Sequence, residues 1–190
     1  MARIPIPPFR SHGRGRSPCD SPVTVGPLLR PGATAHLNPE TLADHAAIKD
    51  VTAAYGHYYD SGDFDGLREL FTEDVRYEFV PETPPFPGRV EGRENVMRAL
   101  VEQWRHNRHT LGAHQRHVTT NIVVLRQRDS TAETRSLLTA TLAYEDGRHE
   151  VRRTGGYADI LRKEDGCWRF ARRQLRFAGL LTPGVPLTLE

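Results

Sequence analysis

Three residues of the 190-residue chain carry side chains suited to moving a proton: Tyr55, Asp60 and His117. Asp60 closes an otherwise apolar helical face, an unusual place for a carboxylate without a partner. Tyr55 and Asp60 are five residues apart, about 500° of helical rotation, so they lie within roughly 140° of each other on one helix. His117 opens a long strand-like stretch, on the same side as Thr119, Asn121 and Val123. A histidine facing a carboxylate is a workable general base, because the acid fixes the ring tautomer and supports its positive charge. A tyrosine hydroxyl beside them can hold a developing oxyanion.

A second histidine pattern suggests other chemistry. His106, His109, His114 and His117 read H-x2-H-x4-H-x2-H. The run crosses a helix end, a loop with Gly112 and a strand start, and it contains no thiolate or carboxylate, so no metal site is expected. Gly155-Gly156 sits between strand-like segments with no helix after it, so it reads as a β-bulge rather than a phosphate loop.

The elements that must position these groups begin at Asn38. Residues 1 to 38 hold seven of the 14 prolines, five arginines and a single acid, Asp20; the stretch is +4, which leaves −2 on the remainder of a chain whose formal charge is +2. So few large apolar groups cannot offset the ordering entropy, and the stretch reads as a disordered or loosely docked arm. The folded unit is expected over 39–180, with a short tail at 181–190. Asn38-Pro39 starts a helix by a capping amide and a proline in the first turn. Apolar and tyrosine positions then recur at helical spacing to Tyr59. Ser61-Gly62-Asp63 breaks this helix and caps a second one over Phe64 to Phe71. Val75 to Val80 alternates as a strand, Pro81 to Pro87 is a loop, and Gly92 to Arg105 is a third helix. Long β-rich stretches follow over 117–127, 131–144, 148–163 and 167–177, with Asp146-Gly147 and Asp165-Gly166 as hairpin turns. The expected fold is α+β: a cone-shaped α+β barrel of three N-terminal helices packed in a strongly curved antiparallel sheet.

Composition excludes several classes. The near-neutral charge gives no electrostatic case for nucleic acid. No apolar run approaches the ~20 residues of a membrane helix, and the N-terminus lacks a secretory pattern. Two cysteines, Cys19 and Cys167, make no disulfide framework, so a cytoplasmic protein is expected. The stretch 131–144 carries apolar or small side chains on both faces, Leu138, Ala140, Leu142 and Tyr144 on one and Leu137 and Ala143 on the other, and only one face can cover an interior pocket. A homodimer through the outer sheet face follows.

Several motifs resemble the SnoaL-like branch of the nuclear transport factor 2-like superfamily. They are Tyr55-Gly-His-Tyr-Tyr-Asp60-Ser-Gly-Asp63-Phe-Asp65-Gly-Leu67, Leu70-Phe71-Thr-Glu-Asp74-Val75, His117-Val-Thr-Thr-Asn121, Gly156-Tyr157-Ala-Asp159 and Asp165-Gly-Cys-Trp168-Arg-Phe170. The resemblance covers residues 40 to 178. Its fold hosts cyclases, dehydratases, isomerases, epoxide hydrolases and non-catalytic members. It implies that Asp60 and His117 match the catalytic aspartate and histidine of scytalone dehydratase and bile-acid 7α-dehydratase, with Tyr55 at the tyrosine of the bile-acid enzyme and Tyr59 at that of the scytalone enzyme. The bile-acid enzyme's second aspartate falls at Ala140 here, and the scytalone enzyme's second histidine near Thr154. The strand-borne acid–base aspartate of the SnoaL cyclases has Asp159 as its candidate.

The expected function is a cofactor-independent dehydratase, cyclase or isomerase acting on a hydrophobic ring-bearing small molecule, such as a polyketide or steroid-like intermediate. Its catalytic set would be Tyr55, Asp60 and His117. Tyr59, Tyr77, Trp104, Asn121, Asp159 and Arg172 would contact substrate. The alternative is a non-catalytic binding module or the small subunit of a ring-hydroxylating oxygenase.

Overall fold

A first helix, α1 (Pro39–Ser61), starts where the Asn38 side chain accepts a hydrogen bond from the Thr41 amide at 2.8 Å. It ends at Gly62, whose φ of 78° is the left-handed cap that favours glycine. The computed structural model describes residues 38–80, 82 and 88–177. The expected N-terminal arm, the expected C-terminal tail and most of the expected proline loop lie outside the described residues.

Ile48, Thr52, Tyr55 and Tyr59 form the buried stripe of α1. Its spacing of four, three and four residues keeps one face on the core. The short helix α2 (Phe64–Glu69) is capped by the Asp63 carboxylate on the Gly66 amide. Strand β1 (Phe71–Val80) begins four residues before the expected Val75, because Phe71 and Val75 both turn into the core. A three-residue strand β2 (Arg89–Glu91), too short to show alternation in the sequence, pairs with β1. Helix α3 (Arg93–Arg105) runs on into one π turn, His106–Thr110.

Four long strands complete the chain: β3 (Ala113–Arg128), β4 (Thr131–Tyr144), β5 (His149–Glu164) and β6 (Cys167–Phe177). The sheet order is β2-β1-β6-β5-β4-β3. The meander β3 to β6 is antiparallel, as the hairpin turns require. Strand β1 joins it parallel to β6. No hairpin links those two strands, so α3 and the whole meander intervene and leave their directions free. The mixed α+β fold with a curled six-stranded sheet is the cone expected above.

The expected bulge at Gly155-Gly156 is not there. Gly155 stays in register with both neighbours, and the β4–β5 irregularity lies between Ala140 and Thr141. Gly155 answers a different need: a Cβ there would stand 2.2 Å from the Arg176 carbonyl oxygen, so only glycine lets the two backbones approach. At the other end of the molecule Asp44 ties α1 to three strands. Its carboxylate accepts from Lys163 Nζ at 2.8 Å, Trp168 Nε1 at 2.9 Å and Gln127 Nε2 at 3.0 Å.

Candidate active site

Gly56 lets α1 approach β3 closely, since a Cβ there would lie 3.1 Å from the His117 Cβ. One turn further on, Asp60 clasps His117 at two points. Its Oδ2 accepts from the His117 backbone N–H at 2.7 Å, and its Oδ1 meets ring Nδ1 at 2.7 Å. Both side chains are nearly buried, at 10% and 6% exposure. A carboxylate only accepts, so the proton of this bond sits on Nδ1 and leaves the lone pair on Nε2. Strand β3 is the edge of the sheet, and the backbone bond to Asp60 satisfies one of its free amides.

His117 forms part of the wall of a cavity of about 40 Å³ enclosed between α1, α3 and the concave face of the sheet. Tyr55, Tyr59, Tyr77, Tyr157, Leu138 and Gln103 are among its other walls. The Tyr55 and Tyr59 rings meet the imidazole edge-on, with centroids 5.8 and 5.1 Å away. Tyr55 and Tyr77 share a hydrogen bond between their hydroxyls at 3.3 Å. Two hydroxyls sharing one bond leave one O–H free to donate. Burial pushes both phenols up, and the Arg173 guanidinium pulls against it.

The sequence-derived residues divide in two. Tyr55, Asp60, His117, Tyr59 and Tyr77 come together. Tyr58, next to Tyr59 in the chain, covers Gly66 of α2. Trp104 does not reach the cavity: it packs against the Gly62 cap and stands T-shaped to Phe64 at 5.5 Å. Asn121 is exposed at a break in the β3–β4 register with φ 53°, which turns it off the concave face. Arg172 points to the outer face, where it donates to Glu78 at 2.8 Å. Asp159 is fully buried but lies behind the cavity wall. Its partner there is Arg173, at 3.5 Å. Ala140 faces His117 across the β3–β4 register and lines the cavity, so the position of the bile-acid enzyme's second aspartate carries no acid here.

Three side chains that no sequence pattern singled out complete the surroundings of the base. Gln115 Nε2 lies 3.1 Å from His117 Nε2. Gln115 Oε1 accepts from Asn107 Nδ2 at 2.5 Å, and Asn107 Oδ1 accepts from Gln103 Nε2 at 2.9 Å. Only the alternation of β3, which puts residues 115 and 117 on one face, could have flagged the first of them.

Arg173 fills the layer beneath. Its guanidinium carbon is 4.1 Å from the Tyr55 ring centre, 3.8 Å from Tyr157 and 4.3 Å from Phe170. Burial pushes the Asp159 carboxyl up to about 6, while Arg173 and Arg135 draw it back down. The four histidines of the run go to different surroundings. His109 abuts Trp104, His114 contacts Arg108, and only His117 reaches the cavity. Among the described residues no three His, Cys, Asp or Glu side chains gather as a metal site would need.

A curled sheet around three helices is the nuclear transport factor 2-like fold. A nuclear transport factor 2-like protein of Novosphingobium aromaticivorans matches with a TM-score of 0.65 at 22% identity, over 76% of this chain and 88% of that one. The sequence profile of the SnoaL-like domain matches residues 40–174, and the chain belongs to that family. It is similar to a scytalone dehydratase-like protein of Novosphingobium aromaticivorans, with a TM-score of 0.60 and 25% identity, over 78% of this chain and 91% of that one. It is also similar to the anthranilate 1,2-dioxygenase small subunit of Burkholderia cepacia, 29% identical over 129 residues, 63% of this chain and 78% of that one. No helix among the described residues is long and apolar enough to cross a membrane.

Proposed function

We propose that the protein is a cofactor-independent acid–base enzyme, a dehydratase, cyclase or isomerase, acting on a hydrophobic ring-bearing small molecule. The observation that carries this reading is the two-point Asp60–His117 clasp on the wall of a tyrosine-lined cavity. His117 Nε2 takes a proton from the carbon beside a substrate carbonyl. Asp60 holds the resulting imidazolium through Nδ1–H. The free O–H of the Tyr55–Tyr77 pair donates to the enolate oxygen. Loss of water, ring closure or double-bond migration all proceed from that enolate.

The cavity as it stands has room for only one or a few waters, against the roughly 300–1,000 Å³ of a ligand site. Substrate entry therefore requires its walls to part. Phe79, Leu175 and Phe177 lie where β1 and β6 run out toward their C-terminal ends, and they are the walls we assign to that opening.

The direct test is deuterium exchange. Enolisable cyclic ketones incubated with the protein in D₂O should exchange the hydrogen beside the carbonyl faster than buffer allows, and His117→Ala should abolish the excess. If no ketone in a panel spanning one to four rings exchanges above buffer, the enzymatic reading is lost.

The similarity to a dioxygenase small subunit supports a second reading, a non-catalytic subunit of a ring-hydroxylating oxygenase. Stable co-purification with an oxygenase large subunit, together with absence of exchange, would establish it.

For the assembly we propose a homodimer through the outer sheet face, working in the cytoplasm, where the exposed free thiol of Cys167 would stay reduced. Leu137, Val118 and Val151 are 51%, 49% and 63% exposed. Val118 and Val151 pair with Thr139 and Thr141, so the three side chains form one patch on the outer face of β4 and its neighbours. Light scattering at micromolar concentration should give twice the chain mass, and Leu137→Asp should reduce it to the single chain. A monomeric wild-type protein would refute the assignment.

A further inference from the structure

The lone pair that must abstract the proton is already occupied. Gln115 Nε2 stands 3.1 Å from His117 Nε2, and with Nδ1–H committed to Asp60 this contact is an amide N–H donating to the base. Behind Gln115 the donors all point the same way. Asn107 donates to Gln115 Oε1, and Gln103 donates to Asn107 Oδ1. The chain ends at Gln103 Oε1, which is buried with no hydrogen-bond partner among the described residues, on a side chain lining the same cavity.

The π turn places the middle link. Its Leu111 amide closes on the His106 carbonyl at 3.2 Å, so the helical path continues past Arg105, and Asn107, seven residues after Leu100 and four after Gln103, stays on the buried face, where it is 2% exposed.

A carboxamide has nearly the same shape with its oxygen and nitrogen exchanged, so each link fits its site in either orientation. Reversal of one link obliges reversal of the next, because a donor facing a donor leaves both buried groups unsatisfied. We propose that Gln103, Asn107 and Gln115 form a two-polarity amide chain that sets which nitrogens of His117 carry protons, with Gln115 as the positioning residue that caps and releases the base.

In the polarity seen, Gln115 N–H caps Nε2. In the reverse polarity Gln115 Oε1 accepts from Nε2–H after the ring has taken the substrate proton, Gln115 donates to Asn107, and Asn107 donates to Gln103 Oε1. The far end then presents an N–H to the cavity in place of a bare carbonyl oxygen. Proton uptake at His117 thus places a donor where negative charge has appeared on the substrate. This rests on reading His117 as the base, yet its test needs no turnover.

The test is ¹⁵N NMR of the histidine-labelled full chain, at a pH where a free imidazole is neutral. Wild type should show one protonated ring nitrogen on His117, Nδ1. Asn107→Asp does not touch the ring, but an aspartate can only accept, so it should force Gln115 to turn its oxygen toward Nε2. The Nε2 signal should then move upfield from the unprotonated to the protonated range. Asn107→Leu removes the link without imposing a polarity and should leave the ring as in wild type. The side chains of Asp60, Arg152 and Arg153 around the site are the same in both variants. An unchanged ring in a folded Asn107→Asp protein overturns the proposal, as does an equal shift in Asn107→Leu. Should Asn107→Asp fail to fold, Gln115→Glu decides: it must protonate Nε2, and Gln115→Leu must not. Failure of deuterium exchange with these shifts present would strike the enzymatic reading and leave the amide chain standing.

Discussion

His117→Ala is expected to lower kcat/KM on a substrate found by exchange by about 10²–10⁴-fold, the usual worth of a positioned general base. Folding should be nearly unchanged, because the backbone N–H of residue 117 still donates to Asp60. Asp60→Asn should be almost as damaging, for a reason its geometry supplies. Asp60 accepts two hydrogen bonds, from the His117 amide and from Nδ1–H. An asparagine accepts with its oxygen alone and turns its NH₂ toward the other donor. The ring can then keep that bond only by moving its proton to Nε2, the wrong tautomer for a base. The double variant should be little worse than either single one, since both disable one proton-transfer unit. Steady-state kinetics on the four proteins check this, and wild-type turnover in His117→Ala would remove His117 from the mechanism.

Arg173→Met should cost on the order of 3–5 kcal/mol of stability at neutral pH, the range seen when one partner of a buried ion pair is removed. Both Arg173 and Asp159 are fully buried, and the cation also lies against three aromatic rings. The loss should depend on pH in a definite sense. Burial pushes the folded Asp159 carboxyl up to about 6, above the ordinary carboxylate range. Its favourable contribution is therefore complete below the unfolded value and is lost as the pH rises through the folded one. Removing Arg173 takes away the chief group that draws the carboxyl down, so the variant's deficit is largest above pH 6 and shrinks as Asp159 becomes protonated. Asp159→Asn added to Arg173→Met should recover much of the loss. Chemical denaturation across that pH range measures each step, and a pH-independent deficit would show that the lost aromatic packing, rather than charge, sets the cost.

Local rules carried most of the fold. The Asn38-Pro39 cap, the spacing of Ile48, Thr52, Tyr55 and Tyr59, and the Asp-Gly turns before β5 and β6 are short-range features, and each is written in adjacent residues. They determined three helices followed by a meander, and a carboxylate at the end of a buried helical stripe. The direction of β1 was not written there, because nothing local to Phe71–Val80 specifies that it lies parallel to a strand about ninety residues later.

The same division runs through the site. The types and order of Tyr55, Asp60 and His117 were legible, as was the tyrosine-rich helix face. Which other side chains join them was decided by the curl of the sheet. Curling turns the alternate residues of β3 and β5 inward together with α1, so Gln115 meets the base and Tyr157 lines the same cavity, while Asn121, two residues past Thr119, is turned away by a break in register. Asn107 enters because the helical path runs on past Arg105 and keeps it on the face of Leu100 and Gln103. By sequence Asp159 is a candidate to contact substrate, and nothing local joins it to Arg173 on the next strand. Only the tertiary structure makes them a buried pair, because burial depends on which face of each strand the whole sheet turns toward its helices, a property no window of sequence contains.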